Sequence, residues 1–485
     1  MPEMVSGRWW ANLKPVTIRS IGGVISDVEW LENGDDLPIL GPAYVDSHCH
    51  ILPKGLDLAK LNLGACSTRE EILDRLRDRE RELDEGEWLL AVHYDQTKFS
   101  DGNHITRWEL DSVSSVRPIL LRHVSGHASV ANSAALAAAG IDESVPNPSG
   151  GEFCRNESGE LTGVLLEDAH EAVTKATPKL TLDQMEQAIL RSAEHMRGFG
   201  IRTASDMMTG RFDLEKELIA YQRASDTSGV MFRLYVQWRD LFGPRAIDSG
   251  LFKELCSAMD PAKCRVAGVK IFADGAIGSR TAAIYGRFEN SAAPEGTDEG
   301  QLMYAPERLK SMVVTAAEAG YQVSVHAIGD RATDLVLDSF EATNDPRRHR
   351  LEHAMILSDA QIERLAKVNC HVTMQPEFLH RFGHAYLMQL GAERASRLKR
   401  FRSVKDAGLR LSFSSDAPIV LGDPAIGVRT ASSRPSGFDP SENLTWVEAF
   451  EAYTHFGALA NEDEGLRELK VGDRAAFQPI LAQVM

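Results

Sequence analysis

His48 and His50 stand two residues apart at the end of the apolar run "GPAYVDSHCH". Side chains at i and i+2 of an extended strand project to one face, so both imidazoles point the same way and Cys49 points the other. Neutral imidazoles paired on one face form a chelating pair for a divalent cation. Two satisfied polar residues in a strand would give the same short motif. Four further polar residues fall at the ends of similar runs: Lys270 in "VKIFADG", His326 in "SVHAIGD", His353 in "RLEHA" and Asp416 in "SSDAP". A random scatter of polar residues would not select run ends so regularly, and the set as a whole points to a metal site.

Four imidazoles and a carboxylate suit one or two borderline cations, zinc first among them. Lys270 is the odd member, because a dication repels an ammonium. A buried lysine loses its proton readily, and the neutral amine reacts with carbon dioxide to give a carbamate whose two oxygens can bridge two metals. The alternative for Lys270 is an ion pair with Asp274 or another acid. Asp416 fits a ligand that also takes the proton from metal-activated water. Its alternative is a helix cap ahead of "AP".

Eight apolar runs must carry these residues. They start at 41, 200, 231, 265, 321, 348, 369 and 408, each bounded by Gly, Asp or Pro. Helical patterns such as "LTLDQMEQAILRSAEHMRGFG" and "APERLKSMVVTAAEAG" lie between most of them. Buried strands alternating with amphipathic helices imply a parallel sheet, and eight units fit a (β/α)8 TIM-type barrel of the α/β class. Run ends then meet at one mouth, where barrel active sites lie. A doubly wound sheet is disfavoured, since no G-x-G-x-x-G turn follows an early strand. The stretch between the first and second runs is too long for a loop and carries its own strands, "EWLLAVHYD" and "RPILLRHVSGHA". An inserted subdomain is expected over about residues 60 to 180 of a barrel spanning 41 to 460. Residues 1 to 40 and 460 to 485 read as short strands, expected to pair as a small β-sandwich-like accessory domain.

The 485 residues carry 53 Lys+Arg against 70 Asp+Glu, a formal net charge of -17. That balance argues against nucleic acid and anionic membranes as partners and leaves a small-molecule substrate. The opening "MPEMVSGRWWANLKP" lacks a basic start followed by an apolar run, and no stretch is apolar enough to span a bilayer. Six cysteines without a C-x-x-C pair read as reduced thiols. A cytoplasmic protein is expected, with a homodimer as the default assembly.

His48-x-His50, Lys270, His326, His353 and Asp416, in that strand order, resemble the binuclear metal-dependent hydrolases of the amidohydrolase superfamily. The phrases "VKIFADGAIGSRTA", "HAIGDRA", "RLEHA", "SSDAP", "RHVSGHASVANSAAL" and "GELTGVLLEDA" are similar to its YtcJ-like branch, amidohydrolase family 3, over about residues 41 to 460. The resemblance implies that His48, His50 and Asp416 bind the more buried of two divalent metals. It also implies that His326 and His353 bind the second, and that carboxylated Lys270 bridges them. The implied reaction is hydrolysis of an amide-type C–N bond in an N-acyl or N-formyl small molecule, with Asp416 moving the proton. A deaminase or an ester or lactone hydrolase could use the same donors. A non-catalytic regulatory barrel is the remaining alternative, and it is disfavoured because the whole ligand set is intact. The ends depart from the branch: "VGDRAAFQPI" stands where "GKLADLVVLD"-like text is usual, which predicts a trimmed accessory domain.

Two residues are candidates for substrate contact. His127 in "SGHASVANSA" lies in the insertion. Arg280 in "GSRTA" follows the fourth run, where its fork could receive a carboxylate or carbonyl oxygen. The alternatives are a core histidine and an arginine that ties down its own loop.

Overall fold

The computed structural model describes residues 3–124, 128–148, 151–289, 298–465 and 468–480. The eight runs form strands β1 (Tyr44–Cys49), β2 (Ile201–Thr209), β3 (Met231–Gln237), β4 (Cys264–Phe272), β5 (Gln322–Ala327), β6 (Arg350–His353), β7 (His371–Met374) and β8 (Arg410–Phe413). They pair in parallel as one sheet in the order β8-β7-β6-β5-β4-β3-β2-β1. This is a nearly closed TIM-type barrel. The edges β1 and β8 meet through single bonds: Ser47 Oγ donates to Phe413 O at 2.9 Å and the Ser415 amide to Asp46 Oδ1 at 3.0 Å.

Sequence explains most of this locally. Val323, Val325, Leu351 and Val372 are fully buried, each contributing about 1.5–3 kcal/mol by leaving water. The helix Pro306–Glu318 begins with Pro at its first turn and is followed by Gly320 at φ 89°, as its punctuation predicts. Gly268 in β4 answers to packing: a Cβ there would lie 2.4 Å from the Gln322 carbonyl oxygen and 2.8 Å from the Tyr235 ring. The barrel interior is polar for a core, with Arg350, Glu352, Thr373, Ser412 and Ser324 all fully buried. Each needs partners, because an unpaired buried polar group costs roughly 1–3 kcal/mol.

Chain contacts divide the molecule into two units, residues 1–54 with 185–485 and residues 55–184. The first also holds a five-stranded sheet in the order Phe477–Pro479, Ile39–Pro42, Glu3–Trp9, Pro15–Ile21, Val24–Trp30. An aromatic series joins it to the barrel: Trp10 to Phe450 at 5.3 Å, Phe450 to Tyr44 at 5.4 Å, and Tyr453 to Phe413 at 5.4 Å between ring centroids. The second unit carries a six-stranded mixed sheet with an apolar cluster around Leu76, Leu89 and Leu121 and another around Leu120, Leu136 and Phe153. No helix of the described residues is long and apolar enough to cross a membrane. All six cysteines are free thiols.

Candidate metal centre

The six residues from the run ends come together at one end of the barrel. His50 Nε2 lies 2.8 Å from Asp416 Oδ1, and His48 Nε2 lies 3.4 Å from the same oxygen. Lys270 Nζ is 3.3 Å from His48 Nε2. Ring centroids of His48 and His353 are 4.7 Å apart, and those of His353 and His326 are 4.4 Å apart. His48, His353 and Asp416 present donor atoms all within 4.8 Å of one another.

The backbone delivers these side chains in two ways. Gln322, Ser324 and His326 alternate along β5, and Gly268 and Lys270 along β4, so ordinary pleating carries His326 and Lys270 to the mouth. Strand β6 turns Arg350 and Glu352 inward, and strict alternation would send His353 outward. It faces His48 and His326 instead because its φ is 71°, followed by 42° at Ala354. Asp416 likewise sits at φ 61°. Left-handed backbone at bulky non-glycine residues is strained and persists where surrounding structure holds it.

Hydrogen bonds assign the proton on three of the imidazoles. His48 Nδ1 lies 2.6 Å from Glu352 Oε2, and Glu352 Oε1 accepts from Arg350 Nε at 2.7 Å and Ser324 Oγ at 2.8 Å. Burial alone would raise the Glu352 carboxyl, but Arg350 and His48 outweigh it and hold it well below the usual range. Glu352 therefore accepts, Nδ1 of His48 carries the proton, and Nε2 offers its lone pair to the mouth. His353 Nδ1 lies 2.9 Å from Gln375 Oε1, which also accepts from Lys399 Nζ at 3.0 Å while Gln375 Nε2 donates to Ser414 Oγ at 3.0 Å. Its Nε2 is thus the free donor atom. His326 is reversed: Nε2 donates to the Gly275 carbonyl at 2.9 Å, leaving the lone pair on Nδ1.

Burial, reinforced by Lys270, lowers His48 to about 4 and His326 to about 3. His353 is also pushed well down, by burial and then by His326 and His48. All three are neutral imidazoles at pH 7. Burial lowers Lys270 to about 8 against the opposing pull of Glu352 and Asp416. For Asp416 burial pulls upward, and His48, His50 and Lys270 together leave it below its usual value. Asp416 Oδ1 is buried beside His50 Nε2, and that 2.8 Å contact is among the interactions that lower the carboxyl. The proton-free nitrogens of His48 and His353 beside the Asp416 carboxylate form the electron-rich pocket that a borderline divalent cation fits.

The structure shows partners for several residues that the sequence left open. Asp274 is not the partner of Lys270, since it accepts backbone N–H bonds from Ala283 at 2.9 Å, Ile328 at 3.0 Å and Gly329 at 2.8 Å. Asp416 caps no helix; the next one, Pro424–Ser432, is capped by Asp423. Arg280 is exposed at φ 56° and donates to the Glu289 carbonyl at 3.4 Å, a bond within its own loop. His127 lies outside the described residues. Sequence reasoning missed Glu352, Arg350, Gln375 and Lys399. Two opposite charges at i and i+2 of the short apolar run "HRLEHA" were the available sign of an inward-facing pair.

The model of the amidohydrolase family matches residues 39–477. The chain is 30% identical over 430 residues to YtcJ of Bacillus subtilis (strain 168), named as an amidohydrolase, covering 87% of this chain and 79% of the relative. It is 29% identical over 459 residues to the N-substituted formamide deformylase of Arthrobacter pascens, covering 90% and 82%. The solved structure of a metal-dependent hydrolase from Pyrococcus horikoshii OT3 superposes with a TM-score of 0.80 at 24% identity, covering 100% of this chain and 99% of that one. Its counterpart from Pyrococcus furiosus gives 0.79 at 24%, covering 99% and 98%. These two structures share the fold, while the matched residues and the curated relative carry the stronger statement. The chain belongs to the amidohydrolase family.

Proposed function

We propose that the protein is a metal-dependent hydrolase that cleaves an amide-type C–N bond in a small N-acyl or N-formyl compound. The observation that carries this reading is the gathering of donor atoms of His48, His353 and the Asp416 carboxylate within 4.8 Å of one another, with hydrogen bonds leaving Nε2 of both imidazoles free of a proton. Family membership supports hydrolysis, and the similarity to a relative named as a deformylase of N-substituted formamides supports the bond type. His48, His50 and Asp416 would hold one divalent cation and His326 and His353 a second, with zinc suited to these donors. Lys270 would span both as a carbamate: its neutral Nζ bonds to the carbon of carbon dioxide, releases a proton and becomes an anion. Bound cations supply Lewis acidity that polarises a carbonyl and lowers the pKa of water to about 7.

The chain's own residues do the rest. Asp416 Oδ1 takes a proton from the attacking water and passes it to the departing amine nitrogen, as general base and then general acid. Glu352 and Gln375 keep His48 and His353 turned toward the mouth. The left-handed turns at His353 and Asp416 hold donor atoms that regular strands would direct elsewhere.

Metal content per chain tests the reading, measured on the parent and on Lys270→Ala prepared identically, followed by amine release from N-formyl and N-acyl compounds. Two ions in the parent, fewer in the variant, and amine release by the parent are expected. Turnover confined to esters would replace the amide with an ester substrate. No metal in either protein after reconstitution with zinc would overturn the reading altogether.

A further inference from the structure

The floor of the barrel holds a fully buried arginine. Arg350 Nε donates to Glu352 Oε1 at 2.7 Å, Nη1 to Tyr235 Oη and Asn461 Oδ1 at 2.9 Å each, and Nη2 to Ser47 O at 2.6 Å and Thr373 Oγ1 at 3.2 Å. Every one of these partners is buried. A guanidinium has only donors, so its fork dictates what must face it. Replacing a buried ion pair by neutral groups often costs a fold nothing, so stability alone does not explain the pair. It reaches the histidine cluster through Glu352, whose Oε2 lies 2.6 Å from His48 Nδ1.

We infer that Arg350 and Glu352 are positioning residues that set the tautomer of His48, and so decide whether its Nε2 can bind a cation. The inference rests on the proposed role of His48 as a metal ligand. The two oxygens of Glu352 have separate tasks. Oε1 must accept, because Arg350 Nε–H and the Ser324 hydroxyl both point at it. Oε2 also accepts, from His48 Nδ1–H, and that leaves Nε2 without a proton 3.4 Å from Asp416 Oδ1. An arginine cannot reverse its donors, so the arrangement has one solution. Partners of this kind typically change metal affinity 10- to 100-fold when altered.

Glu352→Gln separates tautomer control from packing, because it keeps shape and volume. Its single oxygen must face Arg350, which turns the amide NH2 toward His48 Nδ1. That nitrogen must then accept, and the proton moves to Nε2, against Asp416 and the cation. In the double variant Arg350→Met/Glu352→Gln the amide is free to turn over, with its NH2 donating to Ser324 Oγ and its oxygen again accepting from His48.

The experiment measures zinc affinity and stoichiometry of the parent, Glu352→Gln and the double variant by competition with a chromophoric chelator. It adds 15N spectra of metal-free, histidine-labelled protein, with the His48 signals identified by their loss in His48→Gln. The expected result is one of two ions bound 10- to 100-fold more weakly in Glu352→Gln and recovered in the double variant. In the spectra the His48 proton should sit on Nδ1 in the parent and on Nε2 in Glu352→Gln. Unchanged affinity for both ions in Glu352→Gln, or a double variant no better than the single one, would overturn the inference. So would a His48 proton on Nε2 in the parent, a measurement that needs no variant of the pair to fold. A parent that binds no zinc yet shows the expected tautomers would instead discard the metal reading and keep the positioning role.

Discussion

The backbone N–H of Asp416 donates to the carbonyl oxygen of His48 at 2.7 Å, so the residue after the last barrel strand is tied to the first strand where their side chains meet. One turn on, the His50 amide donates to Ala417 O at 2.8 Å. These bonds use no atom of the carboxylate. Asp416→Asn should therefore keep the barrel closed and lose only the anion and its proton acceptance. We predict an unchanged circular-dichroism spectrum, a thermal midpoint within a few degrees of the parent, and turnover lower by about 10²–10⁴. Parent-like turnover would remove Asp416 from the chemistry.

Lys399 is fully buried behind His353, with Nζ 3.0 Å from Gln375 Oε1 and 3.3 Å from the His353 carbonyl. Burial lowers it to about 7, so it is only partly charged at neutral pH. Lys399→Met releases Gln375 to rotate its amide and removes a costly buried amine. Weaker binding of one ion, by about tenfold, should accompany equal or greater thermal stability. Tighter metal binding in the variant would contradict this role.

Asp274 joins two mouth loops by accepting three backbone amides, and Gly275, next in the chain, holds His326 through its carbonyl. Asp274→Ala strands those buried donors, each worth roughly 1–3 kcal/mol. Urea unfolding should show a loss of at least about 3 kcal/mol, and metal binding through His326 should weaken together with it. A variant as stable as the parent would show that water replaces the carboxylate.

Glu217 accepts amides of Gly210, Phe212 and Asp213, and burial raises it from 4.5 to about 7. A carboxyl raised on folding binds its proton more tightly in the folded state. Its stabilisation is therefore complete below pH 4.5 and is lost as pH rises through about 7. The shift corresponds to about 3 kcal/mol at most between those limits. Asp46, raised to about 6, and Glu377, raised to about 7, act in the same sense. Glu217→Gln should flatten, without abolishing, the fall in urea midpoint between pH 5 and pH 8. An unchanged slope would show that Glu217 is ionised throughout.

The barrel strands were legible because each is a short apolar run with punctuation at both ends, and buried parallel strands leave that pattern. Lys270 and His326 were legible for the same reason, since pleating alone brings them to the mouth. The strand pattern could not place His353, whose side chain reaches the cluster only through a left-handed turn. Glu352, Gln375 and Lys399 were missed because their importance lies in whom they touch, and those partners are distant in sequence: Glu352 and His48 are 304 residues apart. The sequence suggests an ion pair for Asp274 because charge is visible in it, whereas three amides waiting for an acceptor are not.

The tie between Ser47 and Phe413 spans 366 residues. At the usual pace of synthesis, about 5–20 residues per second, His48 leaves the ribosome roughly 20–70 s before Asp416 exists to meet it. Through that interval the early histidines lack the carboxylate that completes the cluster. The candidate centre can therefore form only after nearly the whole chain has been made, so on the proposed function its ion would be taken up by the finished barrel.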